Sequence, residues 1–287
     1  MKKTLSLALA LTMALSLAAC GNSGGSSSSA PADASGSSSQ ANSSTSSSSA
    51  NTESDLAYVQ DKGTLVVGIT EFEPMDYQNT DGEWIGFDAD LAKEFAESLG
   101  VTVEFQLIDW DNKVMELDGK TIDVVWNGMT LTEDVLAAME CSQPYLINQQ
   151  VVVVPADVAE DYQTEESLAD LNFAVEIGSA GCEVAQANGY SYTEVADQAT
   201  ALLEVASGTA DAAIIDSLMA GAMIGEGTSY ADMTSTVALT SEEYGVGFRK
   251  GSDLAATLNE FLSGKYADGS IQTLAETYGV QDALVQE

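Results

Sequence analysis

An α/β fold divided into two lobes is what this sequence predicts, and three observations lead to it. Short β-branched runs alternate with amphipathic helical segments at connection lengths typical of a doubly wound parallel sheet. The alternation starts afresh near Val151. The stretches Gly119-Lys120-Thr121-Ile122-Asp123-Val124-Val125 and Gly208-Thr209-Ala210-Asp211-Ala212-Ala213-Ile214-Ile215-Asp216 repeat one pattern: a glycine exit from a helix, an acid, then a buried strand.

The chain opens with Lys2 and Lys3, an apolar run from Leu5 to Ala19, and Leu17-Ala18-Ala19-Cys20. Residues 1–19 read as a secretory signal, too short to span a bilayer as a stable helix. The terminal Leu-Ala-Ala-Cys resembles the bacterial lipobox, which implies cleavage before Cys20 and acylation of its sulfur. Each buried methylene of an acyl chain adds about 0.8 kcal/mol, so more than one chain gives a durable anchor. From Gly21 to about Asp55 the sequence is Ser, Gly, Ala and Asn with almost nothing large enough to pack. Residues 20–55 are therefore assigned to the lipidated cysteine and a flexible tether, whose root-mean-square reach is on the order of 30 to 35 Å.

Roughly 230 residues remain, enough for one large domain or two modest lobes. The net charge is −36, and loss of Lys2 and Lys3 with the signal makes it two charges more acidic still. That excludes nucleic acid as a partner and adsorption of the folded body to anionic lipid, leaving the lipid anchor as the expected membrane contact. Histidine is absent, so no His-based triad or His-ligated metal site is possible. No cofactor is expected. Cys141 and Cys182 read as small buried residues that could pair only if the fold brings them together.

In the folded part, Thr64–Ile69 is a Val-rich strand, followed by a loop that Pro74 keeps irregular and that carries Glu71 and Phe72. Gly82–Asp88 is a turn leading to a helix with Asp88 as its cap and Leu91, Phe95 and Leu99 on one face, ended by Gly100. Val101–Ile108 is a strand and Asp109–Leu117 holds a short helix beginning near Trp110. Ile122–Trp126 is a buried strand that stops at the turn pair Asn127-Gly128, and Thr132-Glu133-Asp134 has the composition of a helix start. A strand that ends in a turn and a helix N-terminus leaves N–H groups at a sheet rim, where an anionic group can bind; it is also an ordinary strand-to-helix connection.

The second unit has strands at Val151–Val154 and Phe173–Ile177, the latter ending at Gly178-Ser179-Ala180-Gly181, then a helix over Ala199–Ser207 and the strand to Asp216. Val237–Leu239 and Tyr244–Phe248 read as strands, and Leu254–Leu262 and Ile271–Tyr278 as helices covering a sheet. Asp216 could cap the helix after it, and Phe72 and Trp110 could be core residues.

The ordered set Leu65-Val66-Val67-Gly68, Phe72 and Pro74, Gly86-Phe87-Asp88-Ala89-Asp90-Leu91, Trp110, Asp123, Gly128-Met129-Thr130-Leu131-Thr132, Ser142-Gln143-Pro144-Tyr145, Gly178-Ser179, Asp211, Asp216 and Tyr244–Gly251 resembles the polar amino-acid-binding proteins of bacterial ABC importers, within the type II periplasmic binding proteins. The resemblance implies two lobes joined by two hinge crossings, near Tyr145–Gln150 and Leu239–Gly245, with lobe 1 over 56–147 and 245–287 and lobe 2 over 148–244. It implies a monomer that closes on an amino acid and is read by an ABC permease and its ATPase. By similarity, Phe72 and Trp110 flank the ligand side chain, Gly128 and Thr130 hold the α-carboxylate with Ser179 and the N–H of Ala180, and Asp216 pairs with the α-ammonium. The sequence departs from the family where an arginine usually binds the carboxylate: Val135 stands there. Lys113 or Asn127 could substitute, although a solvated helix lysine is the plainer role for Lys113. Glu71 and Glu176 with Asp216 would make the cleft acidic, which favours a neutral polar or cationic amino acid. A dehydratase of cyclic acids, using Glu176 and Asp216 as an acid/base pair, and a tethered sensor are the competing functions. A lipid-anchored protein on the extracytoplasmic face of the cell membrane is the expected location.

Overall fold

Ser54 opens the folded part by accepting the Ala57 N–H at the start of helix α1 (Asp55–Lys62), which Gly63 ends in the left-handed conformation. The computed structural model describes residues 54–286; the signal segment, Cys20 and the Ser-rich stretch before Ser54 lie outside the described residues. Asp55 is not the end of a tether. It is buried in the first turn of α1, where both of its oxygens accept from Arg249 Nε at 3.1 Å.

Lobe 1 continues with β1 (Thr64–Ile69), a small hairpin of β2 (Tyr77–Gln78) and β3 (Trp84–Ile85), α2 (Phe87–Leu99), β4 (Thr102–Leu107), α3 (Lys113–Asp118), β5 (Val124–Thr130), α4 (Glu133–Ala138), β6 (Glu140–Cys141) and β7 (Leu146–Asn148). The chain then enters lobe 2 through β8 (Gln150–Pro155), β9 (Asn172–Glu176), α5 (Ala180–Asn188), β10 (Ser191–Val195), α6 (Gln198–Ser207), β11 (Ala212–Asp216), α7 (Ser217–Met223) and β12 (Met233–Ala238). It returns to lobe 1 as β13 (Glu242–Phe248), α8 (Leu254–Asp268) and α9 (Ser270–Tyr278).

The two sheets share a plan. In lobe 1, β4 and β5 flank β1 in parallel, and β13 adds an antiparallel strand beside β5. In lobe 2, β10 and β11 flank β9 in parallel, and β8 adds an antiparallel strand beside β11. The repeated glycine–acid–strand pattern is the approach to β5 in one lobe and to β11 in the other. Both strands run toward the seam between the sheets, so the loops at their carboxyl ends face each other, as ligand-carrying loops of open α/β sheets do.

The two passes between the lobes lie side by side. Leu239 N–H donates to the Gln150 carbonyl at 2.8 Å, and Gln150 N–H donates to Thr240 Oγ1 at 2.8 Å. Glu242, Glu243 and Tyr244 pair with β7 in the lobe 1 sheet, so the return to lobe 1 comes before Glu242, earlier than the boundary set at residue 244.

Lobe 1 packs around Trp126, Phe95, Phe87, Tyr145 and Tyr244, all shielded from solvent. The Phe95 ring lies 6.1 Å from Trp126 and 5.4 Å from Phe261 of α8, which ties the returning segment to the first half of the lobe. Val152, Val154, Phe173, Val175 and Ile214 form a separate core in lobe 2. Each fully buried side chain of this size contributes roughly 1.5 to 3 kcal/mol.

Two local expectations are corrected. Asn127-Gly128 does not end its strand. β5 runs on to Thr130 because β13, more than a hundred residues later, pairs with it there, and Gly128 absorbs the irregularity at φ +55°. Asp88 does not cap α2, whose N-cap is Gly86. Asp88 is buried and accepts the Gly128 N–H at 2.6 Å and the Tyr145 hydroxyl at 2.8 Å.

Candidate functional site

The site grows from the carboxyl ends of β1 and β5. Asn127 Oδ1 accepts the Thr70 N–H at 2.9 Å and hydroxyl at 2.7 Å, while its Nδ2 donates to the Thr70 carbonyl at 3.1 Å and to Asp76 at 2.8 Å. This fixes the loop that carries Phe72. The Phe72 ring then lies against the backbone of Gly128, where a Cβ would come within 2.5 Å of it, and edge-on to Tyr244 at 6.4 Å. Only glycine satisfies both the ring and the positive φ.

Lobe 2 supplies the facing wall. β9 ends in buried Glu176, and Ser179 caps α5 by accepting the Cys182 N–H at 3.1 Å. The N–H groups of Ala180 and Gly181, in the first turn of α5, have no carbonyl of the helix to donate to. β11 ends in Asp216, whose N–H donates to Gln198 Oε1 at 2.9 Å.

These loops meet in a narrow cleft whose lining includes Phe72, Trp110, Lys113, Glu176, Ser179 and Asp216. The space open to the centre of a water-sized sphere is only about 30 Å³, so the cleft is narrow as it stands. The seam is tight as well. A Cβ on Gly178 would fall 3.0 Å from Asp111 Cα of lobe 1, and Lys113 Nζ crosses the seam to the Gly178 carbonyl at 3.0 Å.

Charge is concentrated there. Burial, reinforced by Asp216 and Asp197, pushes the Glu176 carboxyl up to about 8, and its Oε1 has no hydrogen-bond partner. Burial and the nearby Glu242 push Asp216 up to about 7. Asp216 is nevertheless well supplied with donors: Oδ1 accepts from the Asn148 amide, from Gln150 Nε2 at 3.0 Å and from the Tyr244 hydroxyl at 2.6 Å, and Oδ2 accepts from the Gln198 amide. Burial also lowers Lys113 from the usual ammonium range, against the pull of Glu176, Asp111 and Glu183.

Of the residues singled out from sequence, Phe72, Trp110, Asn127, Gly128, Thr130, Glu176, Ser179, Ala180 and Asp216 come together around the cleft, and Glu71 does not. Glu71 is exposed and is not among the lining residues, which removes it from the acidic lining. Asn127 faces the cleft with its amide wholly committed to Thr70 and Asp76, and Gly128 has already given its N–H to Asp88, so neither offers the ligand contact expected of it. The Thr130 hydroxyl donates to Glu242 at 2.8 Å. Asp216 occupies the N-cap position of α7 without making a cap hydrogen bond. Lys113 is no solvated lysine; it is buried in the cleft wall, 4.8 Å above the Trp110 ring. Arg249 sits at the other end of β13 from the crossings, under α1, and Val135 lines the cleft with an apolar side chain. Gln198 and Glu183 are cleft residues that no local pattern marks, because their placement depends on how α6 and α5 pack. Cys141 and Cys182 are free thiols in different lobes.

Comparison with known proteins places this geometry. The profile of the bacterial extracellular solute-binding proteins, family 3, matches residues 65–281, and the chain belongs to that family. It is 29% identical over 230 residues to the L-cystine-binding protein TcyJ of Escherichia coli (strain K12), covering 79% of this chain and 86% of that one. A mutant of ArgBP from T. maritima superimposes with a TM-score of 0.73 at 33% identity, over 78% of this chain and 98% of that one. The ancestral amino acid-binding protein AncCDT-1, a precursor of cyclohexadienyl dehydratase, does so at 0.72 and 31%, over 78% and 99%. The architecture is the type II periplasmic-binding-protein fold, as the resemblance implied.

Proposed function

We propose that the protein is a lipid-anchored solute-binding protein that closes its two lobes on an amino acid, neutral polar or cationic in side chain, and presents the closed form to an ABC permease and its ATPase. The observation that carries this reading is the cleft: it lies at the seam of two sheets, takes its walls from both, and brings Phe72 and Trp110 from one lobe opposite Glu176, Ser179 and Asp216 from the other. A ligand held this way joins the lobes and shifts the population toward the closed form. The names of TcyJ, ArgBP and AncCDT-1 support the class of ligand. The apolar run before Cys20 supports the anchor and a site on the extracytoplasmic face of the cell membrane.

The test is calorimetric titration of the full chain in detergent, unfolded and refolded to strip carried-over ligand, against the common amino acids and L-cystine. Saturable binding of a neutral polar or cationic member is expected. No heat with any member, from a protein shown to be folded, overturns the reading.

A catalytic role has one observation in its favour: Glu176, held protonated near neutral pH, stands in the cleft beside Asp216 as a general acid would. Release of product from a cyclohexadienyl acid would establish it.

A further inference from the structure

One carboxylate outside the cleft gathers the elements that join the lobes. Glu242 opens β13, where it pairs with Asn148 of β7, and it faces the hollow between β13 and α5, not the cleft. Its Oε1 accepts the Thr130 hydroxyl, Asn148 Nδ2 and Gln150 Nε2, each at 2.8 Å, and its Oε2 accepts the Thr240 hydroxyl at 3.1 Å. Thr130 ends β5 at the rim of the cleft, Asn148 and Gln150 flank Gln149 in the first pass between the lobes, and Thr240 lies in the second. A carboxylate can serve this many donors, because its two oxygens offer about four lone-pair positions.

These donors are tied to the relation between the lobes. Asn148 is the last residue of β7 in the lobe 1 sheet, and Gln150 is the first of β8 in the lobe 2 sheet. With one residue between them, a rotation of lobe 2 against lobe 1 is absorbed around Gln149 and, through the Gln150 N–H on Thr240 Oγ1, in the second pass as well. Such a rotation carries Gln150 away from Asn148 and Thr130, so the full donor set meets on Oε1 in the present relation of the lobes, in which the seam is shut by Lys113 on the Gly178 carbonyl. Asn148 and Gln150 are buried, and each gives its other amide hydrogen to Asp216. A buried donor that loses its acceptor bears the full cost of desolvation.

We infer that Glu242 is the positioning residue of the hinge, its carboxylate favouring the closed relation of the lobes by binding Thr130 of lobe 1 and both ends of the first pass at a single oxygen. This rests on the reading above that the lobes close on a ligand, and it names the residue that sets how readily they do so. Glu242 lies outside the cleft lining, so it acts on the closed population and not on the choice among ligands. Affinity then scales with the fraction of molecules that can hold the closed form. The Thr130 hydroxyl is the link by which the end of β5, at the rim of the cleft, is joined to the hinge.

The experiment is amide hydrogen exchange, read by mass spectrometry on the ligand-free full chain in detergent, beside the calorimetric panel. Glu242→Ala is expected to speed exchange about tenfold over residues 146–151 and 238–244 and over the cleft-facing stretches 127–130 and 176–183, while β1 and α8 exchange as in the wild type. Affinity for every amino acid that binds should fall by about the same factor, with their order preserved. Glu242→Gln, which keeps an acceptor oxygen for the amides, should restore most of both. Should Glu242→Ala not fold, Glu242→Ser, too short to reach the amides, carries the same expectation. Unchanged exchange at the passes, faster exchange spread through β1 and α8, or a changed order of ligands overturns the assignment and leaves the amino-acid reading intact. A wild type that binds no member of the panel sinks that reading, while the ligand-free exchange of the variants still decides for or against Glu242 as the residue that holds the hinge.

Discussion

Asp216 and Glu242 are bridged by the same two amides. Asn148 Nδ2 and Gln150 Nε2 each donate to Asp216 Oδ1 and to Glu242 Oε1. The four residues lie at or beside the two passes between the lobes, so the hinge is built around two acids separated only by neutral donors. Two such acids repel when both are ionised, and the charge on Glu242 is one reason Asp216 holds its proton up to about 7.

Stability should therefore fall as pH rises. Asp88 and Asp216 are raised to about 7 and Glu176 to about 8, all chiefly by burial. An unfolded carboxyl titrates near 4, so between about pH 4 and pH 8 the folded state binds more protons than the unfolded one and loses stability with increasing pH. The melting temperature of the ligand-free protein is expected to drop by several degrees between pH 5 and pH 8. Glu242→Gln should flatten that slope, since it removes the charge and keeps an acceptor for both amides. A profile that rises toward pH 8 in the wild type would contradict this account.

Ligand binding at pH 7 should release a proton. Glu176 is largely protonated in the unliganded cleft, where Asp216 and Asp197 hold the proton on and Lys113 opposes them. To meet a cationic group of the proposed ligand it would have to ionise. Calorimetry in two buffers of different ionisation enthalpy should give different apparent heats, corresponding to up to about one proton released, and affinity should increase from pH 6 to pH 8. Glu176→Gln should abolish the buffer dependence.

Gly128→Ala should damage both fold and binding. The added methyl would stand 2.5 Å from Phe72 and 3.0 Å from Tyr244 at a φ of +55°. A loss of about 2 kcal/mol or more is expected, together with weakened ligand binding as Phe72 is displaced. Denaturant unfolding and titration of the same variant measure the two effects.

Arg249→Met should separate stability from function. The guanidinium holds Asp55 at 3.0 to 3.1 Å, lies 3.6 Å from Asp123, and donates to the carbonyls of Leu117 and Ile122. Removing one member of a buried ion pair typically costs about 3 to 5 kcal/mol. Ligand affinity measured well below the melting temperature should be unchanged, because Arg249 lies outside the cleft.

What the sequence makes legible is set by the distance over which each feature is decided. β1, β9 and β11 are largely apolar runs bounded by breakers, β4 alternates polar and apolar residues, and α2 carries its own stripe of Leu91, Phe95 and Leu99, so these elements can be read locally. Asn127-Gly128 looks like a turn because the strand that keeps it extended, β13, is not adjacent in sequence. Lys113 looks solvated because part of what buries it, the Gly178 turn, belongs to the other lobe. Glu71 and Phe72 are neighbours with opposite fates, and composition cannot say which of the two turns inward. Helix α1 is different: Ser54 before Asp55 and Gly63 after Lys62 are ordinary start and stop signals, obscured by the Ser-rich run that precedes them.

The clasp on α1 also has a mechanical meaning. Ser54 Oγ donates to Asp253, the Leu56 N–H donates to the same carboxylate at 2.9 Å, and Asp55 is locked to Arg249. A pull along the chain preceding Ser54 is thus taken up by the body of lobe 1, through contacts with the segment after β13, without loading the passes at Gln149 and Thr240. Lobe 2 lies outside that path, and the strands that join it to lobe 1 carry none of the load.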